Sequence, residues 1–455
     1  MAILGATVLI LAGSYAVSAL RPTAGPAVRP AASADPVGVA PSAAAAPITG
    51  VDAGSASVDV GAAPVGSLAQ IDHSIAAWTR NLATNSRDYL SATNLAILYQ
   101  GRGRLSYDLQ DHERALTAAR TALTIEPTYA PARAMEAAIL FTLHDFSAAF
   151  TTADALVRDD PTQLGALATR FDSEIELGRI DDARRDLAAL HSAGGPAVLI
   201  RSARLDAVTG DAAGALRSAE QARKAAIADE TDDLGFYDYA VGEYARLGGN
   251  AKAARAAYQA AIKERATDLA ALVGLARIDA FEGNTSAAIA GLQKATAIAP
   301  QPEAEGLLGD LQAASGDAAG SGAAFDTVRF IERLGDIQST TFDRQILRFE
   351  LDHGGATDDL LARARSSLAT RPDWTGYDTV AWALYRLGRF DEAGAEIAKA
   401  RALGDDDARL RYHDGAIRIA ARDRSAGEAM LRSALTLGPA LDPIERTEVS
   451  RLLGD

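Results

Sequence analysis

WALYRLGRFDEA, Trp382 to Ala393, has the form of a helix end, a glycine turn and the start of a second helix, and the same form recurs along most of the chain. Counting back from Gly388, comparable turns fall at Gly355, Gly316, Gly283, Gly248, Gly210 and Gly178. In chain order their separations are 32, 38, 35, 33, 39 and 33 residues. His144 in LHDFSAAF and Arg422 in AARDRSAG keep the frame without a glycine, each 34 residues from its neighbouring turn. A fixed period of this size in a helical chain means stacked hairpins.

Each recurring feature has a mechanical reason. Glycine at the turn can take the positive φ that ends a helix, and the Asp, Asn or Thr after it can cap the next one. Five residues past the turn stands Ala149, Ala183, Ala215, Ala253, Ala288 or Ala393, small enough to let two helices touch. Seventeen past it stands Pro161, Pro300, Pro372 or Pro439, which stops the second helix.

Composition agrees with an all-α chain. Of 455 residues 6% are aromatic, and the many Ala residues favour a core of small side chains on helices. The chain has no Cys, which removes disulfides, thiolate metal sites and thiol nucleophiles without choosing a redox compartment. A net charge of -15 disfavours nucleic acid, whose phosphates need many Lys and Arg side chains.

The amino end reads differently. Residues 2–20 carry no ionisable side chain apart from Tyr15, and about twenty apolar residues cross a bilayer as a helix. From 21 to 66 the chain is rich in Ala, Pro, Gly and Ser and holds seven of the sixteen prolines, a composition expected of a disordered tether. Residues 1–20 are therefore expected to be a signal anchor or transmembrane helix, or a signal peptide cleaved near Val17, Ser18 and Ala19. Arg21 and Arg29 follow the apolar run and weakly oppose export; the expectation remains a soluble part outside the cytoplasmic membrane.

The repeating pattern resembles the tetratricopeptide repeat, most clearly in EAAILFTLHDFSAAFTTADALVRDDP (Glu136 to Pro161) and WALYRLGRFDEAGAEIAKA (Trp382 to Ala400). The resemblance implies an α-solenoid, a right-handed superhelix of about ten helix-turn-helix units over residues 85–441. Helices at 67–84 and 442–455 would cap its ends. The first unit carries about seven extra residues between Tyr99 and Ala115, which predicts a longer hairpin, and the 38 and 39 residue spacings predict longer loops.

Little in the chain points to chemistry. The six histidines sit singly in different units with no partner four residues away, so a helical metal site is not expected. Pairs such as Asp181 with Asp182 and Asp358 with Asp359 follow turns, where Asp caps a helix and complements its dipole. GDAAGSGAA from Gly316 lacks the Lys and hydroxyl residue of a phosphate loop. No catalytic residue, metal or cofactor is expected.

In the resembled family the first helix of each unit lines a concave surface that takes up partner segments. Carried onto this chain, that places Phe349, Asp352, Trp382, Tyr385, Arg386, Arg409 and Tyr412 on the inner face of the last three units. Trp, Tyr and Arg are the types enriched at binding hot spots, although large aromatics in repeats also pack between helices. The role implied is a non-enzymatic, membrane-tethered scaffold binding protein or peptide partners in the cell envelope. The alternative is a carrier or assembly factor for a secreted polymer or lipid, which requires a continuous apolar lining.

Overall fold

In the computed structural model, residues 67–454 are described apart from 232, 339–342 and 405–406. The expected anchor and tether at 1–66 lie outside the described residues. No described helix is long and apolar enough to cross a membrane.

The described residues form twenty-two α-helices, one short 3-10 turn and no strand. A leading helix α1 (Leu68–Thr84) is followed by ten hairpins: α2 (Tyr89–Ser106) with α3 (Leu109–Ile125), α4 (Ala130–Thr142) with α5 (Phe146–Asp159), α6 (Leu164–Glu176) with α7 (Ile180–Leu190), α8 (Pro196–Val208) with α9 (Ala212–Ala228), and α10 (Leu234–Leu247) with α11 (Ala251–Glu264). The second five are α12 (Leu269–Phe281) with α13 (Thr285–Ile298), α14 (Pro302–Ala314) with α15 (Ala318–Gln338), α16 (Asp343–His353) with α17 (Asp358–Thr370), α18 (Trp374–Arg386) with α19 (Phe390–Ala402), and α20 (Ala408–Ala420) with α21 (Arg424–Thr436). After the 3-10 turn at Gly438–Ala440, helix α22 (Pro443–Leu453) packs on the last hairpin.

The turns behave as their chemistry requires. Gly178, Gly210, Gly283, Gly316, Gly355 and Gly388 all have φ between +69° and +86°. His144 and Arg422 take φ of +64° and +69° at the same place in the frame, so the backbone demand persists where glycine is missing. The Asp or Asn after the turn caps the next helix in several units, with Asp145, Asp211, Asn250 and Asp423 each accepting from a backbone N–H three residues on.

Two expectations need correction. In the fifth hairpin the left-handed residue is Gly249, not Gly248, whose φ is −77°. The small contact residue moves with it to Ala254, which has no solvent exposure, like Ala149, Ala183, Ala215, Ala288 and Ala393. The long spacings also lengthen helices: α9 and α15 grow to 17 and 21 residues where most second helices have 13 or 14. About one extra turn in α9 and two in α15 return each helix to nearly the same face, so its contact side is kept.

The first hairpin shows the same economy, with helices of 18 and 17 residues. His112 occupies the position where other units have alanine, and it fits because Gly103 stands opposite: a Cβ there would lie 2.9 Å from the imidazole ring. Burial, then the nearby Arg104 cation, push the His112 imidazole down to about 4 from its usual 6.5, against a smaller opposing pull from Asp111. The unfolded chain therefore binds a proton between about 4 and 6.5 that the folded chain refuses, and stability is lost as pH falls through that window.

Three measurements check this account. His112→Gln should flatten the unfolding free energy against pH between 4 and 6.5, with little change in slope above that range. Arg422→Gly should raise the denaturation midpoint by the equivalent of about 1 kcal/mol, because an L side chain no longer sits in the left-handed region. Ala393→Leu should cost about 1–3 kcal/mol by overpacking the helix contact.

Candidate functional site

The inner face is where the repeats could meet a partner, and it is formed by the first helix of each hairpin. Several of these helices are covered on almost every side. Thirteen of the fourteen residues of α10 are buried, and ten of the thirteen in each of α4 and α6, against four of fourteen in α11. The cover comes from the chain itself, because the superhelix coils tightly enough for successive turns to touch.

The turn-to-turn contacts repeat one geometry. The tip of one hairpin meets the loop that follows the hairpin five places on. A Cβ at Gly178 would lie 2.6 Å from the Pro372 carbonyl oxygen, one at Gly404 would lie 3.6 Å from Cα of Thr209, and one at Gly249 would lie 3.4 Å from Cα of Leu437. At the amino end the contact falls one hairpin short of that count: Tyr107, at the tip of the first hairpin, reaches the loop after the fifth, donating to the Thr267 carbonyl and accepting from the Leu269 N–H, both at 3.2 Å.

Charged side chains from the first helices fill the interior between these contacts. Asp172 accepts from Arg201 at 2.5 Å and from Arg204 at 3.2 Å, and Arg204 also pairs with Glu176. Glu176 is reached in addition by Arg371, from the loop five hairpins away, whose guanidinium lies 4.8 Å over the Phe146 ring. Deeper in the chain Arg246 pairs with Glu243 at 2.5 Å and donates to the Pro439 carbonyl at 3.1 Å. Arg277 spans Glu303 and Asp442, each at 2.9 Å.

Titration follows these placements. Burial alone would raise the Asp442 carboxyl, but Arg277 and Arg409 hold it well below the usual range. Burial opposes the Arg246 cation, yet Glu243 keeps its affinity for the proton above normal. Removing one member of such a pair is costly because the other is left buried and charged. Beside this network Tyr239, Gly274, Arg277 and Glu303 help line a cleft of about 360 Å³, counted out to its open mouth.

The seven residues expected on the inner face fall into two groups. Trp382 is 3% exposed: its Nε1 donates to Asp352 at 2.8 Å, and its ring is stacked between Tyr385 and His413 at centroid distances of 4.8 and 4.0 Å. Phe349 is buried against Phe325 and His353, Tyr412 lies buried beside Trp382, and Arg409 is buried in pairs with Glu445 and Asp442. Asp352 and Arg386 are exposed and Tyr385 is half-buried. Burial, then the Glu448 carboxylate, raise the Tyr385 phenol.

Sequence reasoning missed Glu176, Arg246, Arg277, Arg371 and Asp442. A signal existed in the arginines set inside the first helices of units that are otherwise apolar, at Arg201, Arg204, Arg246, Arg277 and Arg409. Arg201 finds Asp172 29 residues away and Arg277 finds Asp442 165 residues away, beyond any local pattern. Among the described residues no group of three or more His, Asp or Glu side chains is arranged to hold a metal ion.

Ten hairpins in one register, coiled about a common axis, define an α-solenoid. The left-handed turn residue, the small buried residue five places on in most units and the frame near 34 residues are the features in which the chain resembles the tetratricopeptide repeat. No family model matches the chain, and no curated protein matches it. Among solved structures, a tetratricopeptide repeat protein from Parabacteroides merdae is 17% identical over 56% of this chain and 98% of its own, with a TM-score of 0.31. Yeast Tom70 is 12% identical over 85% of this chain and 92% of its own, at 0.34. Human IFIT1, solved as a dimer with PPP-AAAA, is 14% identical over 74% of this chain and 88% of its own, at 0.41.

Contact between turns gives equivalent glycines different tasks. Gly388→Ala meets open space, so it should lose only about 1–2 kcal/mol for the left-handed backbone. Gly178→Ala should lose about 1–3 kcal/mol more, since its methyl group must displace the Pro372 loop. Equal losses in chemical denaturation would show that the turns do not touch in solution.

Proposed function

We propose that this chain is a non-enzymatic scaffold that binds protein partners, held at a membrane by residues 1–20 through the tether at 21–66, with the repeats outside the cytoplasmic membrane. One observation carries the protein-binding reading: from Leu68 to Leu453 the described chain is spent on hairpins and their end helices. What such an array offers a partner is a long, preformed surface.

The exposed remainder of the aromatic stripe is the proposed contact. Arg386 and Asp352 stand free to solvent beside the half-buried Tyr385, on α18 and α16. The buried Trp382 holds Asp352 and Tyr385 in place, since it bonds the first and stacks on the second. A carrier for lipid or polymer has less support, because the first helices turn paired arginines and carboxylates inward where an apolar lining would be needed. An anchor would raise the local concentration of the scaffold near other membrane components.

The test compares two variants in crosslinked capture from native membranes. Arg386→Ala should lose specific partners while its melting temperature stays within the equivalent of ~0.5 kcal/mol. Trp382→Ala should lose about 3–5 kcal/mol of stability, as a large buried aromatic does. Capture undiminished by Arg386→Ala, or recovery of the full chain wholly in the soluble cytoplasmic fraction, would overturn the respective halves of the reading.

A further inference from the structure

The groups that bridge the two turns of the superhelix share a property that ordinary core contacts lack. Each has a second partner within its own turn. Glu176 keeps Arg204 if Arg371 leaves, and Arg371 keeps Asp373 at 3.0 Å. Arg277 keeps Glu303, and Asp442 keeps Arg409. Arg246 keeps Glu243 when it gives up the carbonyl oxygens of Pro439 and Ala440. Separating the turns therefore strands no buried charge, which is the usual obstacle to parting an ion pair.

The contact has the other marks of a separable surface. Gly178, Gly249 and Gly438 bring main chain or side chain close with no Cβ of their own, so few side chains interlock there. The apolar part of the carboxyl-terminal contact includes Phe281, touched by Gly438 and covered by the Arg446 guanidinium at 4.6 Å, and the buried Pro439 and Ala440. Polar contacts of this kind resemble the interfaces between domains that move.

We propose that the second turn is a clasp: the segment from Leu437 to Glu445 occupies the Arg246 and Arg277 face of the fifth and sixth hairpins, and opening the turns frees that face for a protein segment of the same chemistry. That chemistry is a tight turn presenting two carbonyl oxygens and, shortly after them, a carboxylate. The inference rests on the protein-binding reading for its purpose, but its test uses only the chain and a peptide copied from it.

The full-length chain is compared with Asp442→Asn, which keeps an N-cap for α22 while removing the charge that Arg277 grips, and with Asp442→Asn combined with Glu176→Gln. The double variant should show a larger radius of gyration by small-angle X-ray scattering and faster amide exchange across α10 and α12, with unchanged helical content. A fluorescent peptide copying Leu437 to Glu448 should bind the double variant at least about tenfold more tightly than the wild type, a difference of ~1.4 kcal/mol. The same peptide carrying Asn at the position of Asp442 should lose that gain.

An unchanged radius and exchange pattern in the double variant would overturn the clasp. So would an opened solenoid that ignores the peptide, or cooperative unfolding of Asp442→Asn alone, which would make the contact part of the core. If the scaffold reading fails and capture finds no partner, opening and peptide binding are still expected.

Discussion

The close approach of two helices within each hairpin is the contact on which the rest of the molecule is built. Ala149, Ala183, Ala215, Ala254, Ala288 and Ala393 have no exposed surface because a neighbouring helix rests directly on them. That approach demands a tight reversal just before it, hence the residue with positive φ. Once two helices are so joined, one face remains apolar and the next hairpin must cover it. Stacking continues the series, and α1 and α22 pack on the first and last of the ten hairpins.

The inner side of this stack departs from an open groove. A wide superhelix would leave its first helices facing water, but here the next turn reaches α6 through Arg371 and α10 through the Pro439 carbonyl. Enclosure brings arginines and carboxylates into a space of low polarity, where they survive only in pairs. The pairs then contribute direction: Arg277 can meet both Glu303 and Asp442 only if the sixth, seventh and last elements hold one arrangement.

What could be read from the sequence divides along the same line. Period, turn residues and the small contact position are local, so a few characters around Gly388 or His144 carry them. The doubled glycine at 248 and 249 defeated the reading by one place because either residue satisfies a turn pattern, and only the backbone shows which is left-handed. Extra residues were assigned to loops, although a helix absorbs them by adding a turn, as α9 does.

The aromatic stripe was visible, while its division into exposed and buried members depends on distant neighbours. His413, stacked on Trp382 from the next hairpin, and Glu445, paired with Arg409 from the end helix, decide it. Arg371 and Glu176, separated by 195 positions, leave no periodic trace at all.

The tip-to-loop meetings also change what kind of object the solenoid is. A string of hairpins that touch only their neighbours can gain or lose a member by duplication or deletion, since each junction is like the last. In this chain Gly178, Thr209 and Gly249 are matched to Pro372, Gly404 and Leu437 by counting five members around the coil. Excising any hairpin between them would slide every later loop past its proper tip at once. The number of members between these contacts is thus held by geometry, while whole helical turns added within a hairpin leave the matching intact.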